Sequence, residues 1–212
     1  MFALALGLCA AIPAGVWTAG VERAALTFDD NPIGAPPTGF FFAGSRQASP
    51  GTWQVRGNGA QRHLIHVADP TVTMRGISIA GVDRPAPADL KLTARIRLVD
   101  GDRAGGLVWR YRDSENFYFM TVFLSERRVN LIRVTAGNRI LLATASEIEP
   151  DPDAWHTVTI VHEGDQIRAI LNGIGILRAR DLTVTEGGRA GVWSAGNSTT
   201  WFDDVTIEDY PD

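Results

Sequence analysis

The sequence predicts an all-β fold, a two-sheet antiparallel sandwich, on three observations. Runs rich in β-branched and aromatic residues recur at roughly 8–12-residue spacing between turns rich in Gly, Pro, Asn and Asp. Residues 90–98 alternate strictly, with Leu90, Leu92, Ala94, Ile96 and Leu98 set against Lys91, Thr93, Arg95 and Arg97, which is a strand with one face in a core and one in water. Beyond residue 20, helical periodicity nowhere persists for more than about two turns. With 22 glycines, 11 prolines and 45% hydrophobic residues in 212, the composition suits one core and many short strands.

Taken in order, Ala25-Leu26-Thr27-Phe28 reads as an edge strand entering the turn Asp29-Asp30-Asn31-Pro32. A Pro-rich turn precedes Phe40-Phe41-Phe42, and two short strands flank Gly57-Asn58-Gly59. Residues 74–79 form the next strand, and Pro85 and Pro87 stiffen the connector to residues 90–98. Residues 104–134 then make a three-strand meander through the polar turns at 113–116 and 125–127. In its first strand, alternation predicts Leu107, Trp109 and Tyr111 on one side and Val108, Arg110 and Arg112 on the other. Residues 139–145 follow, then a hairpin of 155–162 with 166–171, the Asn172-Gly173 turn, and strands at 174–179, 189–193 and 201–208. No internal repeat or low-complexity linker marks a second domain, so residues 21–212 read as one domain.

The first 20 residues carry no charge, and the apolar run from Phe2 to Ile12 has the length of a signal-peptide core but is too short to span a bilayer. Export is expected, to a secreted or periplasmic location, with Ala11, Ala14 and Gly20 as candidate cleavage points; a buried first strand is the alternative. Cys9 is the only cysteine, so a chain that loses residues 1–20 has neither a disulfide nor a thiolate metal site. A net charge of −4 argues against a nucleic-acid partner, and no membrane span is expected in the mature chain.

Three segments carry a family resemblance. Trp155-His156-Thr157-Val158, Gly164-Asp165 and Ile170-Leu171-Asn172-Gly173 resemble a hairpin of concanavalin A-like and laminin G-like jelly rolls. Gly106-Leu107-Val108-Trp109-Arg110 with Asn116-Phe117-Tyr118 is similar to a segment of the 3-keto-disaccharide hydrolase-like domains of that superfamily. Gly188-Arg189-Ala190-Gly191-Val192-Trp193 with Phe202-Asp203-Asp204-Val205 is similar to their closing strands. The resemblance implies a concanavalin A-like jelly roll with a concave face that often binds glycans.

Candidate ligand residues follow from the mixture of aromatic and guanidinium groups, since sugar C–H faces stack on rings and hydroxyls pair with guanidinium donors. The resemblance sets Arg110, Tyr118 and Trp193 on the concave sheet, with Arg133 and Arg112 as additions; the alternative is that the arginines are solvated and Trp109 and Trp201 are core. Asp30, Asp203 and Asp204, with Asp29, are candidate calcium ligands if the first and last strands lie side by side. No paired-carboxylate motif of a glucanase occurs on a strand, and His63 and His66, three apart, face opposite sides of a strand and cannot share a metal. The expected function is an exported module that binds a carbohydrate or glycoconjugate on its concave sheet. A glycoside-processing enzyme similar to the 3-keto-disaccharide hydrolases is one alternative, and a structural or protein-interaction module is another.

Overall fold

The computed structural model describes residues 23–45, 49–59, 61–71 and 76–210. Among these the chain forms fifteen strands and no α-helix. They are β1 (Arg23–Leu26), β2 (Phe40–Gly44), β3 (Thr52–Asn58), β4 (Gln61–Val67) and β5 (Ile77–Val82). The middle of the chain supplies β6 (Leu90–Asp100), β7 (Ala104–Asp113), β8 (Asn116–Phe123), β9 (Arg128–Thr135) and β10 (Asn138–Ala145). The remainder are β11 (His156–Glu163), β12 (Gln166–Leu171), β13 (Ile174–Arg180), β14 (Arg189–Ala195) and β15 (Thr199–Asp209). The predicted leader, and Met74 at the start of the strand predicted over 74–79, lie outside the described residues.

Two antiparallel sheets result. Sheet A runs β13-β12-β11-β6-β15-β4-β3, with β1 also on β15; sheet B runs β10-β9-β8-β7-β14-β5-β2. The first and last strands therefore lie side by side, Leu26 opposite Val205, as the sequence leads one to expect. The predicted meander is β7, β8 and β9 at the centre of sheet B.

The inward faces of both sheets share one core. Leu90, Leu92, Ala94, Ile96 and Leu98 of β6 meet Leu107, Trp109, Met120, Leu131 and Val192 of sheet B there. The 180° repeat of β6 is thus the signature of a sheet with a buried and an open face. A second apolar cluster is made only of sheet B residues, including Ile79, Val108, Phe117, Phe119, Val134 and Trp193, and so occupies the other face of that sheet. Its rings form a chain, Phe41 to Tyr111 at 5.1 Å, Tyr111 to Phe117 at 5.6 Å, Phe117 to Phe119 at 5.8 Å and Phe119 to Trp193 at 5.3 Å.

One local irregularity overturns a sequence expectation. Simple alternation puts Arg110 with Val108 and Tyr111 with Trp109, but a bulge in β7 shifts the register against both β8 and β14. Arg110 takes a positive φ of 45° at the bulge. The extra residue swings Arg110 onto the Trp109 side, between the sheets, and moves Tyr111 onto the Val108 side.

Candidate functional site

The expected trio does not share a surface. Trp193 belongs to the outer cluster of sheet B, 3% exposed, with Nε1 donating to the Met120 carbonyl at 2.8 Å. Arg110 and Tyr118 point the other way, into the end of the sandwich, and are 1% and 0% exposed. There Arg110 Nε donates to the Ala88 carbonyl at 2.9 Å, Nη1 to the Val184 carbonyl at 2.6 Å and Nη2 to Asp89 at 3.3 Å. Tyr118 donates to Asp181 at 2.6 Å and accepts from the Val184 N–H at 3.2 Å. Burial, reinforced by the Asp181 hydrogen bond, pushes the Tyr118 hydroxyl up to about 12. Arg133 joins the network through Asp181 and Thr183. Although burial acts to raise Asp181, its hydrogen bonds from Tyr118 and Thr183 hold it below the usual carboxylate value. Trp109 closes the group by donating from Nε1 to His162 Nδ1 at 2.9 Å. The result is a polar clamp tying the 83–89 and 181–188 loops to the sheets. Arg112 stands apart, half exposed and paired with Glu186 at 3.0 Å.

Of the expected calcium ligands, Asp30 is exposed and Asp29, Asp203 and Asp204 have protein partners. Asp29 accepts the Arg62 backbone N–H at 3.0 Å, which fixes the loop after β1 to β4. Asp203 lies 3.1 Å from His63 Nδ1 and 3.8 Å from Arg95, and Asp204 lies 3.1 Å from Arg95. A guanidinium between two carboxylates occupies the place a cation needs. Among the described residues no three His, Cys, Asp or Glu side chains are arranged to hold a metal ion. This donor set does not fit calcium.

The same residues belong to a different arrangement, on the outward face of sheet A. Register carries one row across the sheet: Thr157 of β11 opposite Arg95 of β6, Arg95 opposite Asp203 of β15, Asp203 bonded to His63 of β4, and His63 opposite Arg56 of β3. Two residues along, a second row places Arg97 opposite Trp201, Trp201 opposite Ile65 and Ile65 opposite Gln54, with Trp155 at the entry to β11. Four interstrand steps make each row about 19 Å long.

Aromatic rings form the middle of this surface. His63 packs on Trp155 at 5.0 Å and stacks with Trp201 at 5.9 Å, and the two indoles lie 6.5 Å apart. Arg95 sits over Trp155 at 4.9 Å and Arg97 over Trp201 at 5.6 Å. Both indoles are half-buried, presenting ring surface beside charged groups. Asp203 is raised above the usual carboxylate value, chiefly by burial and further by neighbouring Asp204, against the Asp204 N–H and His63 that hold it down. A bulge at Asp204, with φ 49°, adds Asp204 to the outward side beside Asp203 while Phe202 and Val205 stay in the core.

Sequence reasoning pointed to Asp203 and Asp204 for a different role and left Trp155, Arg95 and Arg97 out of the candidate set. The readable signal was the outward half of the β6 alternation. What joins it to Trp155 and His63 is strand order, β11-β6-β15-β4, which no local pattern contains.

No family model matches the chain, and no curated protein does. Among solved structures it is similar to the carbohydrate-binding module CBM66 from Bacillus subtilis, with 21% identity, a TM-score of 0.64, and 79% of this chain and 95% of that one covered. A Bacillus subtilis protein of unknown function with a galectin-like fold is 15% identical, with a TM-score of 0.61 over 80% of this chain and 89% of that one. A beta-glucanase from Bacillus licheniformis is 11% identical, with a TM-score of 0.59 over 92% of this chain and the whole of the other. These likenesses establish the fold: the chain is a concanavalin A-like jelly-roll sandwich.

Proposed function

We propose that this protein is a carbohydrate-binding module whose binding surface is the Trp155–Trp201 platform on the outward face of sheet A. The observation that carries the reading is two half-buried indoles 6.5 Å apart, with a guanidinium group over each ring and an imidazole and a carboxylate beside them. Sugars offer apolar C–H faces to rings and hydroxyls to charged donors and acceptors, and the platform supplies both at a separation one saccharide can bridge. A sugar-binding neighbour of the same fold supports the reading. The buried Arg110–Tyr118 clamp holds loops in place, since its donors already have partners inside the protein.

A glycan-array screen of the folded chain beside Trp201→Ala, Trp155→Ala and Trp193→Ala tests this. Binding is expected from the wild type and from Trp193→Ala, with at least a tenfold loss in each of the other two. Loss confined to Trp193→Ala would move the site to the outer face of sheet B. The reading falls if no glycan binds.

The same reading places the protein outside the cytoplasm, supported by the uncharged residues 1–20. N-terminal sequencing of secreted or periplasmic material is expected to start after Ala11, Ala14 or Gly20. Recovery of the full-length chain only from cytoplasm would overturn it.

A further inference from the structure

A chain of net charge −4 gathers positive charge on one face. Lys91, Arg95 and Arg97 are the outward residues of β6, and Arg168, between core residues Ile167 and Ala169, lies on the same side of sheet A. Arg178 is opposite Arg168, and Arg56 follows core residue Val55. Some of this charge is balanced: Lys91 lies 3.6 Å from Glu208, Arg168 3.3 Å from Glu163, and Arg95 3.1 Å from Asp204. Arg56, Arg97 and Arg178 have no carboxylate partner among the described residues.

The charge also follows the shape of the surface. A groove of about 430 Å³ over β12 and β13 is lined by Lys91, Arg168, Arg178 and Tyr210, with Val161 and Ile170 as its apolar floor. Arg168 lies over the Tyr210 ring at 5.9 Å, which repeats in miniature the cation-on-ring arrangement of the Trp155–Trp201 platform. Lys91, Arg95 and Arg97 span about 20 Å along β6 from groove to platform. Lys91 and Arg95 are matched by Glu208, Asp203 and Asp204 of β15, which leaves Arg97 at the platform and Arg178 in the groove as the unbalanced charges.

We propose that this track selects an acidic polysaccharide, one carrying carboxylate or sulfate groups, laid along β6 from the Trp155–Trp201 platform to the Tyr210 groove. The proposal rests on the carbohydrate-binding reading above and adds the charge of the ligand. A guanidinium fork donates two parallel hydrogen bonds to a carboxylate or sulfate, and an arginine with no carboxylate partner among the described residues gives up no ion pair with them to do so. A neutral glycan would cover Arg97 and Arg178 with no opposite charge in return, and that desolvation disfavours it. The aromatic groups at both ends take the sugar faces between the charged substituents.

The test measures affinity of the full chain for matched pairs of polymers: polygalacturonate against its methyl ester, carboxymethyl cellulose against hydroxyethyl cellulose, and dextran sulfate against dextran. Single-stranded DNA is a further arm. The acidic member of at least one pair is expected to bind tenfold or more tightly than its neutral counterpart, and the pair that responds tells carboxylate from sulfate. Replacing Arg97 and Arg178 together by Gln is expected to weaken that binding at least tenfold and to lower the salt-dependence slope by about two, one per lost charge contact. Neutral members bound as tightly as acidic ones would overturn the charge inference and leave the carbohydrate reading standing. Binding to none of the polymers overturns both, and tighter binding to DNA than to every glycan replaces the saccharide with a phosphate backbone.

Discussion

At the scale of single residues, burial decides most roles. Arg110 looks like a surface donor in the sequence and is a buried clamp in the fold, with two carbonyls and Asp89 on its three donor positions. Arg110→Met leaves those acceptors unpaired and is expected to cost about 3 kcal/mol, lowering Tm by roughly 10 °C in a calorimetric scan. His162 is the acid-sensitive member of the same group. Its imidazole is pushed down to about 3, mainly by burial and then by the charge of Arg110, and its Nδ1 must stay unprotonated to accept from Trp109. The unfolded chain takes up this proton near its ordinary value of 6.5, and the folded chain resists until about 3. The stability it contributes is therefore whole above pH 6.5 and lost progressively as pH falls towards 3, on the order of 5 kcal/mol in all. His66, lowered chiefly by burial, acts in the same direction. Unfolding free energy measured by urea titration from pH 7 to pH 4 is expected to fall steeply in the wild type. In His162→Gln, which keeps an acceptor for Trp109 and does not titrate, the slope is expected to be shallower by up to one proton.

At the scale of elements, close strand approach and two bulges shape the surfaces. Gly106 sits where β7 passes β8, and a Cβ there would lie 2.1 Å from the Met120 carbonyl oxygen, the atom that also accepts from Trp193. Gly106→Ala is expected to cost about 2–3 kcal/mol and to change the fluorescence of Trp193 as its hydrogen bond is lost. Gly175, on β13, has nothing within 4 Å of the same position, so Gly175→Ala is the matched control and is expected to leave Tm unchanged within about 2 °C. The bulges at Arg110 and Asp204 each add one residue against a regular partner, one sending a guanidinium inward and the other a carboxylate outward. The second shows in the sequence as two aspartates between core residues Phe202 and Val205, whereas the first leaves no such break, and so alternation assigned Arg110 to the wrong side.

At the scale of the whole molecule, the two sheets bury their facing sides against each other and leave unlike outer faces. That of sheet B is a continuous chain of aromatic rings, and that of sheet A is a half-open platform of indoles and charges. The pairing of Asp203 and Asp204 with His63 and Arg95 gives a further expectation for the intact protein. Excess EDTA is expected to shift Tm by less than about 1 °C, whereas a bound structural calcium at a hundred times its Kd would add about 2.7 kcal/mol.

The sequence by itself determined the class of fold and nearly every strand. Its period-two runs, such as residues 90–98, and its turn residues, such as Asn172-Gly173, act over a few positions and need no knowledge of the rest. It also determined that His63 and His66 point to opposite sides, since strand geometry alone requires it. Tertiary structure decided the site. Arg95, Asp203 and His63 come from three strands and Trp155 from the entry to a fourth, 63 to 203 along the chain, and only the order of those strands in sheet A sets them side by side. Hydrogen-bonded pairing between distant segments is chosen by the burial of the whole core, and the surface chemistry follows from that choice.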